Sequence, residues 1–139
     1  MKRDMDLIRE ILLFFEENDE MPYGNNSYSL FEQGAKYGSI INLMANGDDK
    51  KGRELDYNFI QLINAGYINV LNPEQDYPIV NSLTWSGNDL LENIKNEYIW
   101  DEVKNKIKEN GLIGASVDVI KDLANQIIRK KIGMMKDSL

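Results

Sequence analysis

Between Arg53 and Trp85 the apolar residues change their period, and that change constrains the fold more than any other feature of the chain. Leu55, Phe59, Leu62 and Ile63 recur at helical spacing. Gly66 follows, a residue suited to the positive φ at which helices commonly stop. Tyr67 to Leu71 then alternates and is β-rich, Asn72-Pro73-Glu74-Gln75-Asp76 is a turn, and Ile79 to Trp85 is a second β-type run. The pattern predicts a helix over 53–65 that feeds directly into an antiparallel hairpin of about 67–71 and 79–85.

Helical stripes dominate the rest. Met5, Ile8, Ile11, Leu12 and Phe15 predict a helix over 4–18, with Asp4 and Asp6 suited to its positive end. Glu16, Glu17, Asp19 and Glu20 crowd its other end, where the dipole disfavours negative charge. They read as a solvated acidic face, with a binding surface as the alternative. Residues 23–27 are turn-rich. Ser29 to Glu32 fits a capping box, and Tyr37, Ile40, Ile41 and Met44 make a further helix face. Asn46 to Gly52 reads as a polar loop. Ser86, with Asp89 three residues on, is the expected cap of a helix carrying Leu90, Leu91, Ile94 and Tyr98. Trp100, Val103 and Ile107 mark the next helix, stopped at Asn110-Gly111. Ser116 opens the last, whose stripe is Ile120, Leu123, Ala124, Ile127 and Ile128. Trp85 and Trp100 both read as core, having apolar neighbours at matching spacing.

The expected fold class is therefore α+β and mostly helical. A helix that feeds a hairpin is the order of a recognition helix followed by its wing. That gives a winged helix-turn-helix core over about 4–96 and a C-terminal helical extension over about 98–133, in a single domain, 1–139. A chain of 139 residues buries roughly two thirds of its unfolded surface and needs no staple.

The composition narrows the chemistry. There is no cysteine and no histidine. This removes thiolate nucleophiles, Cys-containing zinc sites, the commonest general base and every Ser-His or Cys-His pair. Gly34, Gly38, Gly47 and Gly52 are too scattered for a phosphate loop, and no acidic run has the alternating ligands of a calcium loop. The expectation is a non-enzyme with no catalytic residues, no cofactor and no metal. Arg9 and Glu10 interrupt the only candidate signal segment, and nothing approaches the roughly 18 apolar residues of a membrane span. A cytoplasmic protein is expected.

The opening Met1-Lys2-Arg3-Asp4-Met5-Asp6-Leu7 resembles an uncharacterised bacterial and phage-borne winged-helix family, a domain of unknown function often encoded beside prophage genes. Ala65-Gly66-Tyr67-Ile68, Leu83-Thr84-Trp85-Ser86-Gly87 and Trp100-Asp101-Glu102-Val103-Lys104 follow the same pattern in order. Residues 23–52 depart from it, being longer and richer in Gly and Asn. The resemblance implies a winged-helix fold and no particular mechanism.

Two functions remain open. In the first the chain is a DNA-binding regulator, and a homodimer. Asn58, Gln61 and Asn64 then face the major groove, where Asn and Gln pair with adenine. Lys50, Lys51 and Arg53, just ahead, anchor phosphates. In the second it is a non-catalytic protein-interaction or adaptor module that uses an acidic surface and binds no DNA. Net charge is −7, the sequence pI is about 4.6, and the wing turn carries Glu74 and Asp76 with no cation. Residues 101–139 carry eight basic and six acidic residues, a net of +2 against −9 for residues 1–100. The bland account of that basic half is dipole complementation in the last helix.

Overall fold

A computed structural model describes residues 3–111 and 116–137. The chain divides into two units, Met1–Asn88 and Asp89–Leu139. The division falls inside a helix, between Asn88 and Asp89.

In the first unit, α1 spans Met5–Glu17. Asp4 caps it, its Oδ1 accepting from the amides of Asp6 and Leu7 at 3.0 and 3.2 Å. Leu7, Ile8, Ile11, Leu12 and Phe14 form its buried stripe. No cation lies in the last turn; instead the Asn18 backbone amide and Nδ2 both donate to the Phe14 carbonyl, at 2.9 and 3.1 Å. These donors satisfy a C-terminal carbonyl where a lysine would otherwise serve.

The stretch read as a turn is a hairpin. β1 (Glu20–Tyr23) pairs antiparallel with β2 (Asn26–Ser29) around Gly24, whose φ is +57°. Met21 is the only buried residue of these two strands, so no alternation marks them in the sequence. Ser29 caps the short α2 (Leu30–Gln33) as expected. Gly34 follows at φ +73°, where a Cβ would come within 2.7 Å of Leu71 Cδ1 and 2.9 Å of Ile79 Cγ2. Only glycine suits both the backbone and the space.

β3 (Ala35–Lys36) leads into α3 (Tyr37–Ala45) and then α4 (Asp49–Asn64). The expected polar loop is only the link Asn46–Asp48. Asn46 and Gly47 take positive φ there, and Asp48 caps α4 by accepting from the Lys51 amide at 3.1 Å. The long helix packs on α1 and α3 through Leu55, Phe59 and Leu62, all fully buried. Each such side chain contributes about 1.5–3 kcal/mol of transfer free energy.

β4 (Ile68–Val70) and β5 (Ile79–Leu83) pair antiparallel, with a bulge between Asn69 and Val70. This is the hairpin anticipated after the long helix. β3 joins the far side of β5, giving a three-stranded sheet of order β3-β5-β4. Trp85 belongs to no strand: it opens α5 (Trp85–Ile94) and is 91% exposed, against the expectation of a core residue. Thr84, not Ser86, serves as the cap. Its Oγ1 accepts from the Gly87 amide at 3.1 Å and donates to the Gly66 carbonyl at 2.7 Å. Thr84→Val keeps the shape and loses both bonds, so it should lower stability by about 1–2 kcal/mol in urea unfolding.

In the second unit, α6 (Glu97–Glu109) is capped by Asn96 and buries Ile99, Trp100, Val103 and Ile107. Trp100 is core as expected; Tyr98, assigned to an apolar face, is 79% exposed. α7 (Val117–Asp137) packs on α6 through Val117, Ile120, Ala124 and Ile127. Part of its basic charge is matched internally, Lys131 pairing with Glu102 at 2.7 Å. Among the described residues, no helix is long and apolar enough to cross a membrane.

Candidate functional site

The sequence directs attention to α4 and the hairpin that follows it. The structure distributes the six candidate residues differently from the expectation. Lys50, Lys51 and Arg53 lie within the first turns of α4, not in a loop ahead of it. Lys51 is half-buried and turned to α1, where its Nζ meets Glu10 Oε1 at 3.0 Å. Lys50 and Arg53 are exposed. Arg53 lines a cleft of about 540 Å³ together with Asp48, Asp49 and Asp56, so its immediate surroundings are acidic.

Asn58 is fully buried and cannot reach a groove. Its Oδ1 accepts from the Asp4 backbone amide at 2.9 Å, and its Nδ2 donates to the Glu54 carbonyl at 2.8 Å. It therefore ties the start of α1 to the middle of α4. A signal for this lay in the spacing: position 58 is three residues from Leu55 and four from Leu62, on the buried stripe. Gln61 is half-buried and Asn64 is exposed.

Tyr37, at the start of α3, leans on Phe59 with ring centroids 5.7 Å apart. Partial burial raises its phenol above the usual value of 10.0, and the hydrogen bond to Asp56 and that carboxylate's charge push the same way. The raised folded value stabilises the protein fully below the unfolded tyrosine pKa. That contribution disappears as pH rises through the folded value. Unfolding measured from about pH 9 to 11 should show a decline in stability that is shallower in Tyr37→Phe.

The hairpin loop is closed by one side chain. Asn72 Nδ2 donates to the Tyr77 carbonyl at 2.6 Å and to Gln75 Oε1 at 3.2 Å, while Asn72 Oδ1 accepts from the Ile79 amide at 2.7 Å. Glu74 and Asp76 stand exposed at the tip. Lys36, from β3, places its Nζ 5.7 Å from the centre of the Tyr77 ring. From Glu54 to Ile94 the chain has no Lys or Arg at all. The first unit as a whole holds 7 basic and 14 acidic residues, a net of −7, and the second is neutral with 9 of each. Among the described residues, no three acidic groups converge to hold a metal ion.

Fold and surface together define an α+β protein, mostly helical, with two small antiparallel sheets and an acidic first unit. Residues 2–113 match the family described as "Hypothetical protein (DUF2513)", and the chain belongs to that family. It is 32% identical over 139 residues to an uncharacterized protein of Haemophilus influenzae, covering 95% of this chain and 99% of that one. No solved structure matches the chain. The family match runs through residues 23–52, the stretch that departs from the resemblance drawn from sequence, and ends short of α7.

Proposed function

We propose that the first unit is a winged helix-turn-helix, with α3 and α4 as the helix pair and β4–β5 as the wing. The three-residue link between the helices has the length and glycine of such a turn. The strand before the pair joins the second strand of the wing, which supports the same reading. β1, β2 and α2 are then an insertion between α1 and β3.

We further propose that this module meets protein rather than DNA, and does so without catalysis. One observation carries the reading. The length of α4 beyond Arg53, both wing strands and the wing tip lack any cation, and the tip presents Glu74 and Asp76. Nucleic-acid affinity rests on phosphate neutralisation, so a wing of this charge opposes it. The DNA reading keeps a specific basis: Lys50 and Arg53 sit at the N-terminal end of α4, which such helices turn to the groove, with Asn64 exposed further along.

A salt series decides between them. Labelled duplex of random and of native upstream sequence is titrated at about 50 and 150 mM salt. The expected result is no saturable binding at the higher salt, and no change on Lys50→Glu with Arg53→Glu. Binding that falls steeply with salt, disappears in the double variant and loses base selectivity in Gln61→Ala would overturn the protein reading.

Association of two copies belongs to the same proposal. Ile132, Met134 and Met135 are 49%, 61% and 69% exposed on the last turns of α7. Ile132 and Met135, three residues apart on one face of the helix, favour a self-complementary contact. Light scattering at high micromolar concentration should report a dimer that Met135→Lys weakens; a 16.0 kDa species throughout would refute it.

A further inference from the structure

A second feature of the first unit lies away from α4 and the wing. Where α1 ends, β1 begins and α3 finishes, an apolar cleft of about 320 Å³ opens to solvent. Phe14, Met21, Leu43 and Met44 line it, with Pro22, Asn18 and Glu20 at its edge. Leu43 is 46% exposed although it is a leucine in a helix whose neighbours Ile40 and Ile41 are buried. Of the acidic residues crowded at the end of α1, Glu20 stands at the cleft's edge. Glu16, Glu17, Asp19 and Glu20 are all exposed, and residues 10–35 contain no Lys or Arg. The negative end of the helix dipole points the same way.

We infer that this cleft is a docking groove for a basic amphipathic helix of a partner protein. The inference rests on the protein-binding reading above and names the partner's chemistry. Methionine and leucine offer an adaptable apolar surface, and unbranched methionine side chains reshape around different anchors. A helix presenting aliphatic anchors at i, i+3 and i+4 seats them in such a groove. Lysines or arginines on its flanks then meet Glu20 at the edge and Glu17, which follows Phe14 by three residues on the same side of α1. The charge crowded at the end of α1, unfavourable for the helix alone, becomes favourable in the complex. Electrostatic steering by these carboxylates sets the rate of encounter and makes binding salt-dependent.

The test uses the full chain and a defined probe: a fluorescein-labelled Leu/Lys peptide with leucines at i, i+3 and i+4. The control peptide has the same composition with strict alternation. Anisotropy at physiological salt should show saturable binding of the first, about tenfold tighter than the second. Leu43→Lys and Glu17→Lys should each weaken it by about tenfold, while Lys50→Glu with Arg53→Glu should leave it unchanged. Both altered side chains are exposed, and circular dichroism reports their folding; should Leu43→Lys fail to fold, Glu17→Lys decides alone. Absence of saturable binding overturns the groove. Binding that survives both groove variants also overturns it, and leaves the protein-binding reading standing. Duplex binding in the salt series overturns that broader reading whatever the peptide does.

Discussion

Replacing Gly87 with alanine is expected to lower the thermal unfolding midpoint by about 10 °C, a loss of about 3 kcal/mol. Gly87 sits in the first turns of α5, where a Cβ would overlap the Tyr67 carbonyl oxygen and lie 3.1 Å from Leu83 Cβ. That carbonyl has little freedom to yield. It accepts from the Thr84 amide at 3.1 Å, next to the bond from Thr84 Oγ1 to the Gly66 carbonyl. Relief requires the backbone at Gly87 to shift away from Tyr67 and Leu83. Gly133→Ala is the contrast: nothing lies within 4 Å of its Cβ position in α7. There the added methyl should stabilise by about 0.5–1 kcal/mol, because alanine loses less backbone freedom in a helix. A Gly87→Ala midpoint within about 2 °C of the parent would refute the crowding.

The second large effect belongs to Asn58. Asn58→Ala strands the Asp4 amide and the Glu54 carbonyl and leaves a void, for an expected loss of about 2–4 kcal/mol in urea. Asn58→Asp retains an acceptor for Asp4 but places a carboxylate in a fully buried position against the Glu54 carbonyl. It should be the more damaging at neutral pH and should recover as acid protonates the new side chain. Asn64→Ala, in the same helix but exposed, should fall within about 0.5 kcal/mol of the parent. If Asn58→Ala and Asn64→Ala were equally mild, the link between α1 and α4 would contribute nothing.

The contrast between these two asparagines shows what could be read from the chain. α1, α4, α6 and α7 were legible because they are long and their apolar residues repeat. The β4–β5 hairpin was legible because Gly66 and Asn72-Pro73 punctuate it. The start of α4 was not: Asp49-Lys50-Lys51-Gly52 has no apolar residue for a period to act on, and the capping bond from Asp48 decided the boundary. β1 and β2 were hidden because burial touches only Met21. Trp85 and Tyr98 were misplaced for a common reason. Both stand in the first turn of a helix, where apolar character alone does not say which way the ring turns. The candidate site was legible only in part. Polar character on α4 suggests an outward side chain, yet two of the six residues are committed inside the unit, Asn58 to backbone and Lys51 to Glu10. The apolar cleft beside α1 joins residues from three elements, one of them the unread hairpin, so no local pattern announced it.

The single side chain that closes the hairpin loop has an evolutionary consequence. Because Asn72 holds both ends of the loop, Pro73 to Asp76 are all exposed and none of them bears on the packing beneath. Substitution at Glu74 or Asp76 is therefore close to neutral for folding. A lineage that keeps Asn72 is free to rewrite the charge of the tip, from acidic to basic, in one or two steps. Relatives sharing this scaffold should diverge in what they recognise faster than in how they fold, and comparing positions 74 and 76 across them would separate the acidic-tipped branch from any that has turned toward nucleic acid.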